Sequence, residues 1–171
     1  VDDLLNIKRQ KKEYYVPENY DLVVFDSMKD MYQQLAIKED KFGLCRLIAG
    51  YSWPWLSDPK KKPKPNLEAI DISIDGVDLQ WNKTDKDWIN SESAFEEVGC
   101  IHTTQGYDLN YTGIIFGKEI TYNKITKEIE VHKSKYFDKN GKRGIDDIDD
   151  LKEYIINIYK TIMYRGIRGT Y

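Results

Sequence analysis

The chain has 171 residues, 40% of them hydrophobic and 32% charged, so one compact α/β-sized domain with a real core is expected and two independent domains would be a squeeze. Its formal net charge of −3 and pI near 5.5 give no global pull toward nucleic acid, so any such binding has to come from a local patch or from another part of a longer protein. No signal peptide or transmembrane run is visible, and two cysteines, Cys45 and Cys100, suit buried free thiols better than a disulfide framework; a cytoplasmic protein is expected.

Residues 1–19 are charged, begin without Met, and include the basic run IKRQKKEYYVPEN; they are expected to form a short helix and a connector in a fragment cut from a longer chain. The apolar run DLVVF, 21–25, predicts a strand covered on both faces. Asp26-Ser27 then caps a helix whose apolar face is Met28, Met31, Tyr32, Leu35 and Ala36, which opens a βαβ unit. FGLCRLIAGY, 42–51, is the next strand, ended by Pro54 in SWPW. Arg46 inside that apolar run has to pair or reach an edge. Trp53 and Trp55 either stack a nucleobase or close a core edge.

DPKKKPKPN, 58–66, carries four lysines and three prolines, which favour an extended solvated loop; phosphate contact is the other reading of its lysines. AIDISIDG and VDLQWN form a hairpin around Asp75-Gly76 and read as an insertion on the sheet spanning about residues 52–95. The polar stretch after it, NKTDKDWINSESAFEE, is expected to be loop with a short helix, anchored by Trp88. Residues 98–117, VGCIHTTQGYDLNYTGIIFG, read as two buried strands flanking a polar turn. Ligands in open α/β sheets bind at the carboxyl ends of strands, so Thr103, Thr104, Gln105, Gly106 and Asp108 are the first site candidates. The same hydroxyls could simply cap the next element. KEITYN and KEIEVHKSKYFD form a second hairpin with Ile120, Tyr122, Ile129 and Val131 on one face. Residues 145–166 hold the clearest helix, acidic at its start, with an apolar stripe of Ile148, Leu151, Ile155, Ile158, Ile162 and Met163 and Gly166 at its end. GTY begins a β-former just where the sequence stops, so a last strand is expected to be cut off or supplied from elsewhere.

IHTTQGYDLNYTGIIFG resembles motif V of superfamily 1 helicases, and YKTIMYRGIRG resembles their motif VI. Together with RLIAGYSWPW, near motif IV, the chain resembles the C-terminal half of a largely uncharacterised prokaryotic family of P-loop NTPases related to the helicase domain of Schlafen proteins. The resemblance implies a RecA-like second lobe over 21–171, a mostly parallel sheet flanked by helices with a β-hairpin insertion, after a connector over 1–20 from a missing N-terminal RecA-like lobe. It implies that Arg165 is the arginine finger of motif VI, with Arg168 a poorer candidate. It places Gly106, Gln105, Asp108 and Arg46 near nucleotide, and His102, Thr103 and Thr104 toward a DNA or RNA backbone. The acid at Asp108 is shorter than the Glu usual in helicases.

No GxxxxGK followed by Ser or Thr is present, so this stretch alone has no phosphate cradle of the P-loop kind. The resemblance therefore implies ATP and Mg2+ in the full-length protein, none bound by this stretch alone, and hydrolysis only with the other lobe. Cys45, Cys100, His102 and His132 lack regular ligand spacing, so no metal site is expected. The reading of a different class is a non-catalytic nucleic-acid-binding or protein-interaction module on the same fold.

Overall fold

The computed structural model describes residues 5, 19–60, 62–84 and 86–171. Apart from Leu5 and Asn19, the expected N-terminal helix and connector lies outside the described residues. Among the described residues are nine strands and two α-helices: β1 (Asp21–Leu22), α1 (Met28–Phe42), β2 (Cys45–Ala49), β3 (Ile72–Ile74), β4 (Val77–Trp81), β5 (Glu97–Gly99), β6 (Leu109–Ile115), β7 (Ile120–Asn123), β8 (Glu128–Val131), α2 (Ile148–Met163) and β9 (Gly166–Thr170). Seven strands form one sheet in the order β1-β9-β6-β2-β5-β4-β3, parallel except for the β3–β4 hairpin. The second hairpin, β7–β8, stands apart as its own two-stranded sheet. This is an α/β architecture compatible with a RecA-like fold.

Local chemistry sets the helices. Ser27 caps α1 by accepting from the Asp30 amide at 3.3 Å, and Gly43 ends it at φ 67° with its amide on Glu39 O at 2.8 Å. Asp147 caps α2 by accepting from the Asp149 and Asp150 amides. Met28, Met31 and Leu35 of α1 cover one face of the sheet, against Leu47, Ala49, Val98 and Ile115. On the other face Leu151, Ile155, Ile158, Tyr159 and Ile162 of α2 pack with Ile48, Ile114 and the hairpin residues Ile120 and Ile129. Both faces of the central strands are thereby dry, which is why β2 is buried at every position.

Two expectations change. DLVVF is not a central strand: β1 is two residues long at the sheet edge, and Val23 and Val24 are exposed because only β9 neighbours it. The hairpin read as an insertion on the sheet extends its far edge, where β4 pairs in parallel with β5 at Gln80↔Glu97 and Trp81↔Val98. GTY is not the start of a strand cut short: GIRGT runs between β1 and β6 as β9, with α2 ending at Met163 and not at Gly166. Cys45 and Cys100 are buried free thiols, and the face predicted for β7–β8 matches the register Ile120↔Val131 and Tyr122↔Ile129.

Candidate functional site

The connection 100–108 joins β5 to β6, and β2 lies between these two strands. Both are parallel to β2, so nine residues have to carry the chain from the carboxyl end of β5 across the sheet to the amino end of β6. Successive helical turns do this: Thr104 N donates to Cys100 O at 3.2 Å, Gln105 N to His102 O at 3.4 Å and Tyr107 N to Thr104 O at 3.3 Å. Gly106 closes the run at φ +85°, where glycine escapes the Cβ penalty, and nothing lies within 4 Å of where a Cβ would stand.

The crossing splits the candidate residues between two edges of the sheet. His102 is exposed at the carboxyl edge, its ring 6.0 Å from that of Tyr51, which follows β2. Gln105, Gly106 and Asp108 are exposed toward the amino edge, contrary to the expectation that the whole turn sits at strand carboxyl ends. A loop that runs the length of a strand has one foot at each end. The two threonines turn inward. Thr103 Oγ1 accepts from Cys100 N at 2.9 Å, and buried Thr104 donates to Cys100 O at 3.0 Å. Their hydroxyls hold the loop, as in the capping alternative.

Arg165 meets this loop at its amino-edge foot. It precedes β9, and its carbonyl accepts from Leu109 N at 2.8 Å, which fastens the end of α2 beside the start of β6. Its Nη1 lies 3.5 Å from Tyr107 O, a long contact, and its buried Nε has no partner in the structure. Among the described residues no carboxylate lies within ion-pair distance of it. A half-buried guanidinium with spare donors is a ready ligand for an anion. Arg168 sits elsewhere on this edge, with Nε on Asn110 Oδ1 at 3.0 Å and its guanidinium 4.8 Å from the Phe42 ring centre.

Arg46 does not join the group. Its side chain is buried, ion-paired to Glu39 at 2.9 Å, and donates to the carbonyls of Cys45 and Ile89. Trp53 and Trp55 pack against the core beside α1, with Trp55 edge-on to Trp81 and its Nε1 on Ser57 Oγ.

Sequence reasoning left out one buried network at the carboxyl edge. Glu119, just before the second hairpin, accepts from Tyr159 Oη of α2 at 2.6 Å, and Tyr159 Oη in turn accepts from Gly117 N at 3.2 Å. Glu119 N donates to Ser52 Oγ at 3.2 Å. Burial pushes the Glu119 carboxyl above the usual carboxylate range, and the Ser52 and Tyr159 hydroxyls offset this only in part. The available signal was Gly50 and Gly117: a Cβ on either would stand within 2.5 Å of a Glu119 oxygen.

The profile of the Schlafen group 3 DNA/RNA helicase domain matches residues 1–171. The chain belongs to that family. It is also 30% identical over 165 residues to the uncharacterized protein YPL245W of Saccharomyces cerevisiae (strain ATCC 204508 / S288c), a match covering 90% of this chain and 34% of that protein. The chain thus spans about a third of the length of the curated relative it matches. No solved structure matches it. Among the described residues no helix is long and apolar enough to cross a membrane.

Proposed function

We propose that this helicase-family domain is the second RecA-like lobe of an NTP-dependent DNA or RNA helicase or translocase, and that it lends Arg165 to a nucleotide shared with a first lobe of the same protein. The observation that carries the proposal is the setting of Arg165, an arginine without a carboxylate partner among the described residues, leaning on the loop that presents Gly106 and Asp108. ATP with Mg2+ supplies the phosphoryl group and its charge neutralisation. The resemblance assigns the binding of this metal to the full-length protein with its other lobe. Arg165 stabilises charge on the terminal phosphate, the open backbone at Gly106 admits phosphate or sugar, and Asp108 meets the ribose or the lobe interface. Gln105 lies beside them. Thr103 and Thr104 act by holding the loop, and exposed His102 faces the nucleic-acid strand at the other edge. One loop that reaches both edges suits a domain in which strand binding and hydrolysis are linked.

The test is NTP hydrolysis by the full-length protein with and without single-stranded DNA or RNA, wild type against Arg165→Ala. An arginine finger predicts stimulated hydrolysis that falls on the order of a thousandfold in the variant. Hydrolysis that is absent, or indifferent to Arg165, leaves the non-catalytic module as the function of this fold.

A further inference from the structure

Glu119 is 0% exposed, the deepest carboxyl group among the described residues. Backbone stands against it on two sides: a Cβ on Gly50 would lie 2.5 Å from its Oε1, and a Cβ on Gly117 would lie 2.5 Å from its Oε2. Tyr159 Oη donates to Oε1 at 2.6 Å, whereas Oε2 has no partner in the structure. Among the described residues no ion pair reaches it. The groups that face it are Tyr159 of α2, Tyr136 from the segment after β8 and Ser52 from the segment after β2, none of them a cation. Lys118 beside it is exposed, and the ring of His132 is bonded to Thr121 Oγ1 at 2.9 Å. A carboxylate with neither cation nor water costs far more to bury than the neutral acid, so burial favours the protonated form of Glu119 for as long as solvent is kept from it.

What Glu119 holds is the root of the second hairpin. β7–β8 has no ladder to the seven-stranded sheet, and it rests on α2 through Ile120 and Ile129, with Val131 beside them. Asn123 and Glu130 spend their side chains inside the hairpin: Asn123 Nδ2 donates to Glu130 Oε1 at 2.7 Å, and Asn123 Oδ1 accepts from Ile125 N at 2.8 Å and Thr126 N at 3.1 Å. The ties to α2 and to the end of β2 gather at Glu119, whose amide donates to Ser52 Oγ at 3.2 Å and whose carboxyl lies under Tyr159. Its carbonyl accepts from His132 N at 2.8 Å, which closes the two strands at the same point. An element that buries few apolar side chains and hangs on one polar knot opens more readily than the main sheet.

We propose that Glu119 is a proton-operated latch for this hairpin: as the neutral acid it seats β7–β8 on α2, and on giving its proton to water it carries the root of the hairpin out to solvent. The hairpin is the part that yields. Gly50 follows β2 and Tyr159 belongs to α2, both fixed in the core, whereas Glu119 stands at the root of an element outside the main sheet. Release follows pH in one direction, held below the folded pKa of Glu119 and easier by about tenfold per pH unit above it, because one proton is lost on opening.

The experiment is hydrogen exchange of the full-length protein, read by mass spectrometry from about pH 5 to about pH 9 with each labelling time scaled to the intrinsic rate. In wild type, peptides covering 119–132 are expected to lose protection by about tenfold per pH unit above the folded pKa of Glu119, while peptides covering β2 and β6 hold theirs. Glu119→Gln copies the neutral acid and should keep the hairpin protected at every pH. The fall should persist in His132→Gln, whose ring is exposed, and this variant decides the matter should Glu119→Gln not fold. Hairpin protection that stays flat with pH, that falls together with β2 and β6, that falls equally in wild type and Glu119→Gln, or that no longer falls in His132→Gln overturns the latch.

Discussion

Replacing Arg46 by alanine asks whether this arginine holds the fold or serves a nucleotide. Its guanidinium makes one ion pair, to Glu39, and bonds to the carbonyls of Cys45 and Ile89. Truncation strands Ile89 O in the interior, which costs about 1–3 kcal/mol. Loss of one partner from a buried pair costs about 3–5 kcal/mol, but Glu39 is 27% exposed and keeps a bond from Cys45 N at 2.6 Å, so the upper end does not apply. Together these give a loss of about 2–4 kcal/mol, or a fall in melting temperature of roughly 5–15 °C for a chain of this size. Urea unfolding followed by circular dichroism measures it, and Arg46→Lys, which retains a charge for Glu39 but not the fork, should fall between the two. An Arg46→Ala variant within about 0.5 kcal/mol of wild type would refute the structural role. If that stable variant also lost nucleotide binding, Arg46 would belong to the nucleotide site.

Glu119 makes stability fall with pH. Its carboxyl is raised in the folded state, so the protonated form's contribution is complete below the unfolded value of about 4.3 and is lost as pH rises through the folded value. Glu119→Gln should remove this fall; parallel unfolding curves for both proteins across that range would contradict it. Gly50→Ala drives a methyl to within 2.6 Å of Glu119 Oε1 and Tyr159 Oη, and a destabilisation of about 1–3 kcal/mol should appear as a lower urea midpoint.

Local signals were enough for α1, α2 and both hairpins. Ser27 and Asp147 are caps, Leu151 to Met163 follow a helical period, and Asp75-Gly76 and the turn after Asn123 are short-range turn chemistry. Of the candidate site, the polar loop TTQGYD can be picked out by residue type, whereas Arg165, which follows α2, enters only through the resemblance to motif VI. β9 could not be read this way, because GIRGT, with two glycines and a charge, resembles a turn until β1 and β6 close on it from either side. Pairing partners far along the chain override its weak propensity.

The sequence by itself determined α1, α2, both hairpins and the buried strands β2 and β6, since spacing and capping act over a few residues. Only the tertiary structure decided that β2 separates β5 from β6, and so sent the connection 100–108 across the sheet to meet Arg165 at the amino edge. Strand order is a contest among distant pairings, and it alone determines at which end of the sheet a loop's side chains emerge.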